Sequence, residues 1–262
     1  MSEMIAKTVS VESVSAEQKL MMFGLMQQYY DQMSPERFEK DLASKDDVIL
    51  LFGKGSDQIK GFSTLKTLNT HVHGRKIRGL FSGDTVVDRE YWGQRVLGRE
   101  FLKYLFIQKL KSPFMPFYWM LISKGYKTYL LLANNFPEHY PRYEHTTPER
   151  EQGVLDSLSE DLFGDCYKKD TGLIEFTESL GQLKPGIADV PCDSAMLNPR
   201  INFFATKNPT WAEGTELSCI ARMTWTMPIY YALKSWWKLV GRRWFRDVKS
   251  TLSDSVEVKG EA

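Results

Sequence analysis

One stretch, SGDTVVDREYWGQRVLGRE (82–100), gathers side chains suited to holding an anion. Gly93 and Gly98 lack bulk immediately before a run with helical spacing. The first N–H groups of a helix have no partner inside it, and the helix dipole places partial positive charge there. A bound phosphate satisfies both. Arg95 and Arg99 would add charge, and the backbone from Gly93 through Gln94, Val96 and Leu97 would wrap the anion. The same residues also fit an ordinary strand-to-helix turn with surface arginines. Upstream, Gly83 interrupts a strand pattern, as glycine does at a bulge. Asp84 and Asp88 place carboxylates nearby.

Other candidates are sparser. His139 is either a base near neutral pH or a solvated loop histidine. His71 and His73 fall in a predicted turn and read as exposed rather than metal-binding. Cys166, Cys192 and Cys219 have neither zinc spacing nor a disulfide framework, which fits a reducing, cytoplasmic setting. No Gly-x-Ser-x-Gly, Walker loop, HExxH or Rossmann fingerprint occurs in a suitable context. The 34 basic and 33 acidic residues of the 262-residue chain nearly cancel, so no global field points to nucleic acid. The N-terminus lacks a secretory apolar core, and no stretch reaches the roughly 18 apolar residues of a membrane span.

The elements that must position these residues follow from periodicity. Strands are expected at 5–13, 48–52, 59–68, 76–87 and 117–122, and helices at 17–32, 94–111 and 124–134. Ser34 and Pro35 open a further short helix that buries Phe38 and Leu42. Residues 142–197 read as an insertion or small subdomain, with a weak helix from Glu149. Residues 200–205 and 216–223 read as a closing hairpin within a segment 198–247. That segment ends in an aromatic and basic helix from about Pro228 to Asp247, and 248–262 is a disordered tail. The last helix is a cap on the sheet, a membrane-surface contact, a docking face for an acidic carrier protein, or a channel for a long acyl chain.

This order, with the lead-in Glu90-Tyr91-Trp92-Gly93-Gln94-Arg95-Val96-Leu97-Gly98, resembles the GNAT acyltransferase superfamily. Its pyrophosphate turn has the form Arg/Gln-x-x-Gly-x-Gly/Ala. Trp92 stands where that family usually has arginine, and one residue is inserted. The resemblance covers about residues 5–135 and implies an α+β fold: a mixed, largely antiparallel twisted sheet flanked by helices, here with a C-terminal extension. The core would be residues 1–141.

The resemblance further implies an N-acyltransferase, with the fatty-acyl-transferring members among the readings. The donor would be an acyl-CoA or acyl-carrier-protein thioester, and no metal is required. The acceptor would be an amine on a small molecule or peptide. Thr85, Val86 and Val87 would line the thioester arm, and residues 93–99 would hold the pyrophosphate. Asp84 would deprotonate the amine, and Tyr129 or its neighbour Tyr126 would protonate the leaving thiolate, with His139 as a further base. The competing readings are a non-catalytic thioester- or protein-binding module on the same fold and a peripheral membrane protein.

Overall fold

A computed structural model describes residues 3–31, 33–176, 182–183, 196–227 and 230–231. Met1–Met223 form one compact unit, and Thr224–Ala262 form a second. The readings of a C-terminal helix and tail fall almost wholly outside the described residues.

The first unit is built on one sheet. Its strands are β1 (Met4–Ser10), β3 (Asp47–Gly53), β4 (Ile59–Val72), β5 (Arg75–Val87), β6 (Phe117–Ser123) and β11 (Glu216–Arg222). Short strands β7 (His139–Tyr140), β8 (Tyr167–Lys168) and β9 (Leu173–Ile174) extend it. The spatial order is β1-β3-β4-β5-β6-β11-β9-β8, with β7 also paired to β11. Every pairing is antiparallel except β5 with β6. A parallel pair needs a crossover, and α3 (Val96–Lys111) supplies it. This is the mixed, mostly antiparallel twisted sheet flanked by helices that the GNAT resemblance leads one to expect. A separate two-residue strand, β2 (Tyr30–Asp31), pairs with β10 (Gln182–Leu183).

Local chemistry explains the elements. In α1 (Ala16–Gln27), Ser15 and Gln18 form a reciprocal capping box. In α2 (Pro35–Ala43), the Ser34 side chain caps Arg37 N–H, and Pro35 occupies the first turn. The β4–β5 hairpin turns at His73 and Gly74, with φ of 48° and 72°. Two positive φ values in a two-residue loop match the right-handed strand twist. β3 is an almost unbroken buried run, as a strand covered on both faces must be.

Two layers cover the sheet. On one face, Met22, Leu25 and Met26 of α1 and Phe38 and Leu42 of α2 pack with Val48, Leu50 and Phe62. On that face too, Val154, Leu155 and Leu158 of α5 (Glu149–Phe163) pack with Ile77, Phe81, Tyr118 and Met120. On the other, Phe101 of α3 meets Trp119, which meets Phe136 at the end of α4 (Tyr126–Asn135), each pair 4.8 Å between ring centroids. Alternation along β6 thus feeds both cores.

One reading is corrected. Residues 200–205 are not a strand but part of helix α6 (Pro199–Lys207), opened by the Asn198 side chain accepting from Arg200 N–H. The apolar run INFFA suits a strand by composition. The Asn-Pro start and the burial of Ile201 and Phe204 at helical spacing decide otherwise. The partners of β11 are therefore β6, β7 and β9.

Candidate active site

The β4–β5 ladder slips once. Ser63 pairs with Thr85 and Leu65 with Ser82, so Gly83 and Asp84 together face Thr64. This is a bulge on β5, at the glycine the sequence marks. A Cβ on Gly83 would sit 2.7 Å from Thr64 Oγ1 and 3.0 Å from Lys45 Cε, so the bulge needs the missing side chain. Just before the bulge the two central strands part. β5 and β6 pair only from Arg78–Phe117 to Phe81–Met120, leaving Ser82–Val87 with a partner on one side alone.

Two cavities flank the parting. The smaller, about 300 Å³, is lined by Thr85, Val86 and Val87 and by Gly93, Gln94 and Leu97, together with Tyr29, Tyr91 and Trp92. Gly93 has φ of 84°, a conformation L side chains avoid, and it lets the chain reverse before α3. Arg95 is the N-cap residue, and Val96, Leu97 and Gly98 form the first turn of the helix. A Cβ on Gly98 would meet nothing within 4 Å, so the helix start is open on that side. Arg95 and Arg99 are exposed, and with Val96 and Gly98 they stand outside the cavity lining. Trp92 lies across the strand end. Its indole N–H donates to the Val87 carbonyl at 2.7 Å, and Arg89 sits 5.7 Å over its ring.

The larger cleft, about 720 Å³, contains Asp84. Its lining includes Asp41 of α2 and Lys45 just past its end, Tyr126 of α4, and Glu216 at the start of β11. Tyr30, Thr85 and Trp92 line both cavities and so mark their junction. Asp84 is pushed up to about 7, first by burial, then by the Asp41 charge and a hydrogen bond with it, against the opposing pull of Lys45. Glu216 is also raised to about 7, by burial first; Lys124 opposes the shift and Asp84 adds to it. Burial and these two carboxylates raise the Tyr30 phenol, keeping its proton at neutral pH.

The other expected residues lie elsewhere. Tyr129 is fully buried, donates to the Pro141 carbonyl at 3.1 Å, and packs against Phe203 and Phe204. His139 is 1% exposed; its Nδ1 is 2.8 Å from the Phe136 carbonyl, and its Nε2 has no partner among the described residues. Burial pulls it down to about 4, so it is neutral at pH 7. Neither is part of the cleft lining that holds Asp84. Three residues along a helix turn about 300°, so Tyr126 and Tyr129 differ in direction by about 60°. Tyr126 lines the cleft and Tyr129 does not. Asp88 caps the turn by accepting from Glu90 N–H at 3.2 Å and pairs with Lys60 at 3.6 Å. Sequence reasoning passed over Tyr30 and Glu216. Each stands at the edge of an apolar run, and nothing local ties either to Asp84.

Among the described residues there is no group of three or more His, Cys, Asp or Glu suited to a metal ion. No described helix is long and apolar enough to cross a membrane. No protein-family model matches the chain, and no curated protein matches it. Solved structures do. A conserved protein from Enterococcus faecalis V583, described as a probable N-acyltransferase, aligns at 20% identity with a TM-score of 0.39, over 50% of this chain and 32% of the other. A GCN5-related N-acetyltransferase from Kribbella flavida aligns at 12% identity and TM-score 0.38, over 53% of this chain and 34% of the other. Glucosamine-6-phosphate N-acetyltransferase from Arabidopsis thaliana aligns at 13% identity and TM-score 0.33, over 45% of this chain and 81% of the other. The alignment thus spans about a third of the length of the first two proteins.

Proposed function

We propose that this GNAT-like fold is an N-acyltransferase that passes an acyl group directly from a CoA thioester to an amine. The observation that carries the reading is the meeting of two cavities at the bulge. One is bordered by the open strand edge and the glycine turn, and the other holds a carboxylate poised near neutrality. The donor's pyrophosphate would lie on the first turn of α3, with Arg95 and Arg99 free to approach it from solvent. Its acyl-bearing arm would follow Thr85–Val87 to the junction. Lining by Met4, Leu51, Val86 and Leu97 suits an apolar arm. The acyl group, short or fatty, is read out by titration across chain lengths.

The roles follow from position. Asp84 takes a proton from the attacking amine; a base near pH 7 combines adequate ionisation with adequate strength. The Tyr30 phenol, protonated and at the junction, supplies a proton to the departing thiolate. This assigns to Tyr30 the part that the family resemblance gave to a tyrosine of α4. Holding the two reactants in adjoining cavities supplies much of the rate enhancement through proximity. The region after residue 142 belongs functionally to the acceptor side, because Leu162, Phe163 and Phe176 line the larger cleft.

The Trp92 indole favours one second reading. It already occupies the Val87 carbonyl, as would suit a module that binds a thioester without turning it over. Calorimetric titration with CoA, acetyl-CoA and a long-chain acyl-CoA tests the donor site, and amine-dependent release of free thiol tests turnover. Binding with turnover supports the transferase. Binding without turnover for any amine supports the module. No binding of any CoA species overturns both.

A further inference from the structure

The larger cleft is more than a base needs. It combines two half-buried carboxylates with a wall of rings. Asp84 comes from the bulge on β5 and Glu216 from the start of β11, and neither forms an ion pair among the described residues. Lys45 lies close, but its ammonium is committed to Asp41 Oδ1 at 2.6 Å, the Asp41 carbonyl at 3.2 Å and Ser44 Oγ at 3.1 Å. Beyond Lys45, the cations on the cleft rim are Lys66, Lys124 and Lys127, and Lys124 is the one whose charge acts on Glu216. Two carboxylates facing one poorly solvated space repel each other and are costly to ionise. A cation entering from outside relieves both.

The wall begins beside the bulge. Phe81 meets Phe163 edge-on at 5.6 Å, and Phe163 meets Phe176 edge-on at 6.0 Å. Phe163 and Phe176 are only partly buried, so their remaining surface faces the cleft they line. Trp119 also borders the cleft, and its indole N–H is spent on Ser82 Oγ at 2.9 Å. A charged pair at one end and edge-on rings along the side match a ligand with one cationic end and an apolar remainder.

We propose that the acceptor is an amine carried on an apolar, ring-bearing body, its ammonium held between Asp84 and Glu216 and its body laid along Phe81, Phe163 and Phe176. The fate of that amine rests on the acyl-transfer reading above, but its binding does not require a donor. Glu216 holds the ammonium while Asp84 removes its proton. The nitrogen then bonds to the thioester carbonyl carbon as the C–S bond breaks, and the sulfur takes the Tyr30 proton. The adduct nitrogen gives up its second proton to solvent and the proton on Asp84 returns to the phenolate, so an ammonium and a thioester yield an amide, a free thiol and one released proton. A linear diamine would gain little from the rings, and an amino acid would bring its carboxylate toward Asp84 and Glu216.

The test is calorimetry on the full chain with 2-phenylethylamine, 1,4-diaminobutane and lysine, each with and without CoA. The expected result is at least about tenfold tighter binding of 2-phenylethylamine than of the other two, a difference of about 1.4 kcal/mol. Glu216→Gln should weaken all amine binding by roughly tenfold, in line with loss of a charge-assisted contact. Phe176→Ala should weaken only 2-phenylethylamine, and Phe176→Leu should restore part of the loss. Melting curves of each variant separate lost binding from lost fold. Equal or tighter binding of the diamine or of lysine overturns the proposal, as does an unchanged affinity in folded Glu216→Gln. CoA binding with no amine binding sinks this inference and leaves the donor site standing. Amine binding in the expected order without CoA binding does the reverse.

Discussion

Two groups of titratable side chains in this protein look alike on paper and differ in access. Asp84, Glu216 and Tyr30 line a cleft of about 720 Å³. Tyr129 and His139 lie with ring centroids 6.4 Å apart, both sealed from solvent. Burial is the largest cause of displacement in every one of these five groups. A strongly shifted ionisation therefore does not by itself mark a site. In the cleft it leaves Asp84 and Glu216 near pH 7, where a ligand can reach them. Behind α4 it fixes His139 as neutral and Tyr129 as a structural donor to Pro141.

The sharpest way to break this comparison is to remove one member of each group. Asp84→Asn should lower amine-dependent thiol release by 10²–10⁴-fold, the usual worth of a general base. Tyr129→Phe should leave the rate within about threefold and instead lower the melting temperature by a few degrees, through one lost hydrogen bond of about 1 kcal/mol. Comparable rate losses in the two would dissolve the distinction. Gly98→Glu comes next. Its Cβ meets nothing, so the fold should hold, while a carboxylate at the helix start should weaken CoA binding tenfold or more. The pH profile follows. With Asp84 as the base, kcat/KM should drop about tenfold per unit below about pH 7, because the protonated carboxyl cannot accept. A flat profile from pH 5 to 8 would count against Asp84.

The smallest effects concern stability, and their signs oppose. Asp84 in the fold holds its proton up to about pH 7, against an ordinary 3.8, so the folded state binds more protons between these values. Its contribution is most favourable below 3.8 and is lost as pH rises through about 7. Asp84→Asn should therefore melt higher than the parent at pH 8. His139 runs the other way. It is neutral in the fold down to about pH 4, whereas the unfolded chain takes up a proton below 6.5. Its stability contribution is present above 6.5 and is lost as pH falls toward 4. His139→Leu should flatten that acid limb in thermal scans from pH 7 to 4.

Most of the sheet was legible because its strands announce themselves. Val48 to Phe52 is apolar throughout, and Gly83 sits where the ladder slips. The Ser34-Pro35 start of α2 was readable for the same local reason. Asp84 and the Gly93–Leu97 turn are neighbours in sequence, so one motif could point to both. Glu216 and Tyr30 were not legible, because sequence distance hides what the sheet brings together. Residues 200–205 misled because aromatic and β-branched composition suits strands, while the decisive signal was the Asn198 cap. Tyr126 and Tyr129 were not separable, because helical spacing says which residues are neighbours, not which of two adjacent surfaces each one meets.

The parting of β5 from β6 has a mechanical meaning. Beyond Phe81 the sheet is sewn on one side only, and its middle carries an open seam from Ser82 toward Val87. Backbone groups along a seam are looking for amides. A ligand arm that offers them would serve as a missing stitch, joining the half that carries the turn to the half that carries Glu216. Occupancy would then be felt in both halves at once, and slowed amide exchange on β6 and β11, as well as on β5, would report it.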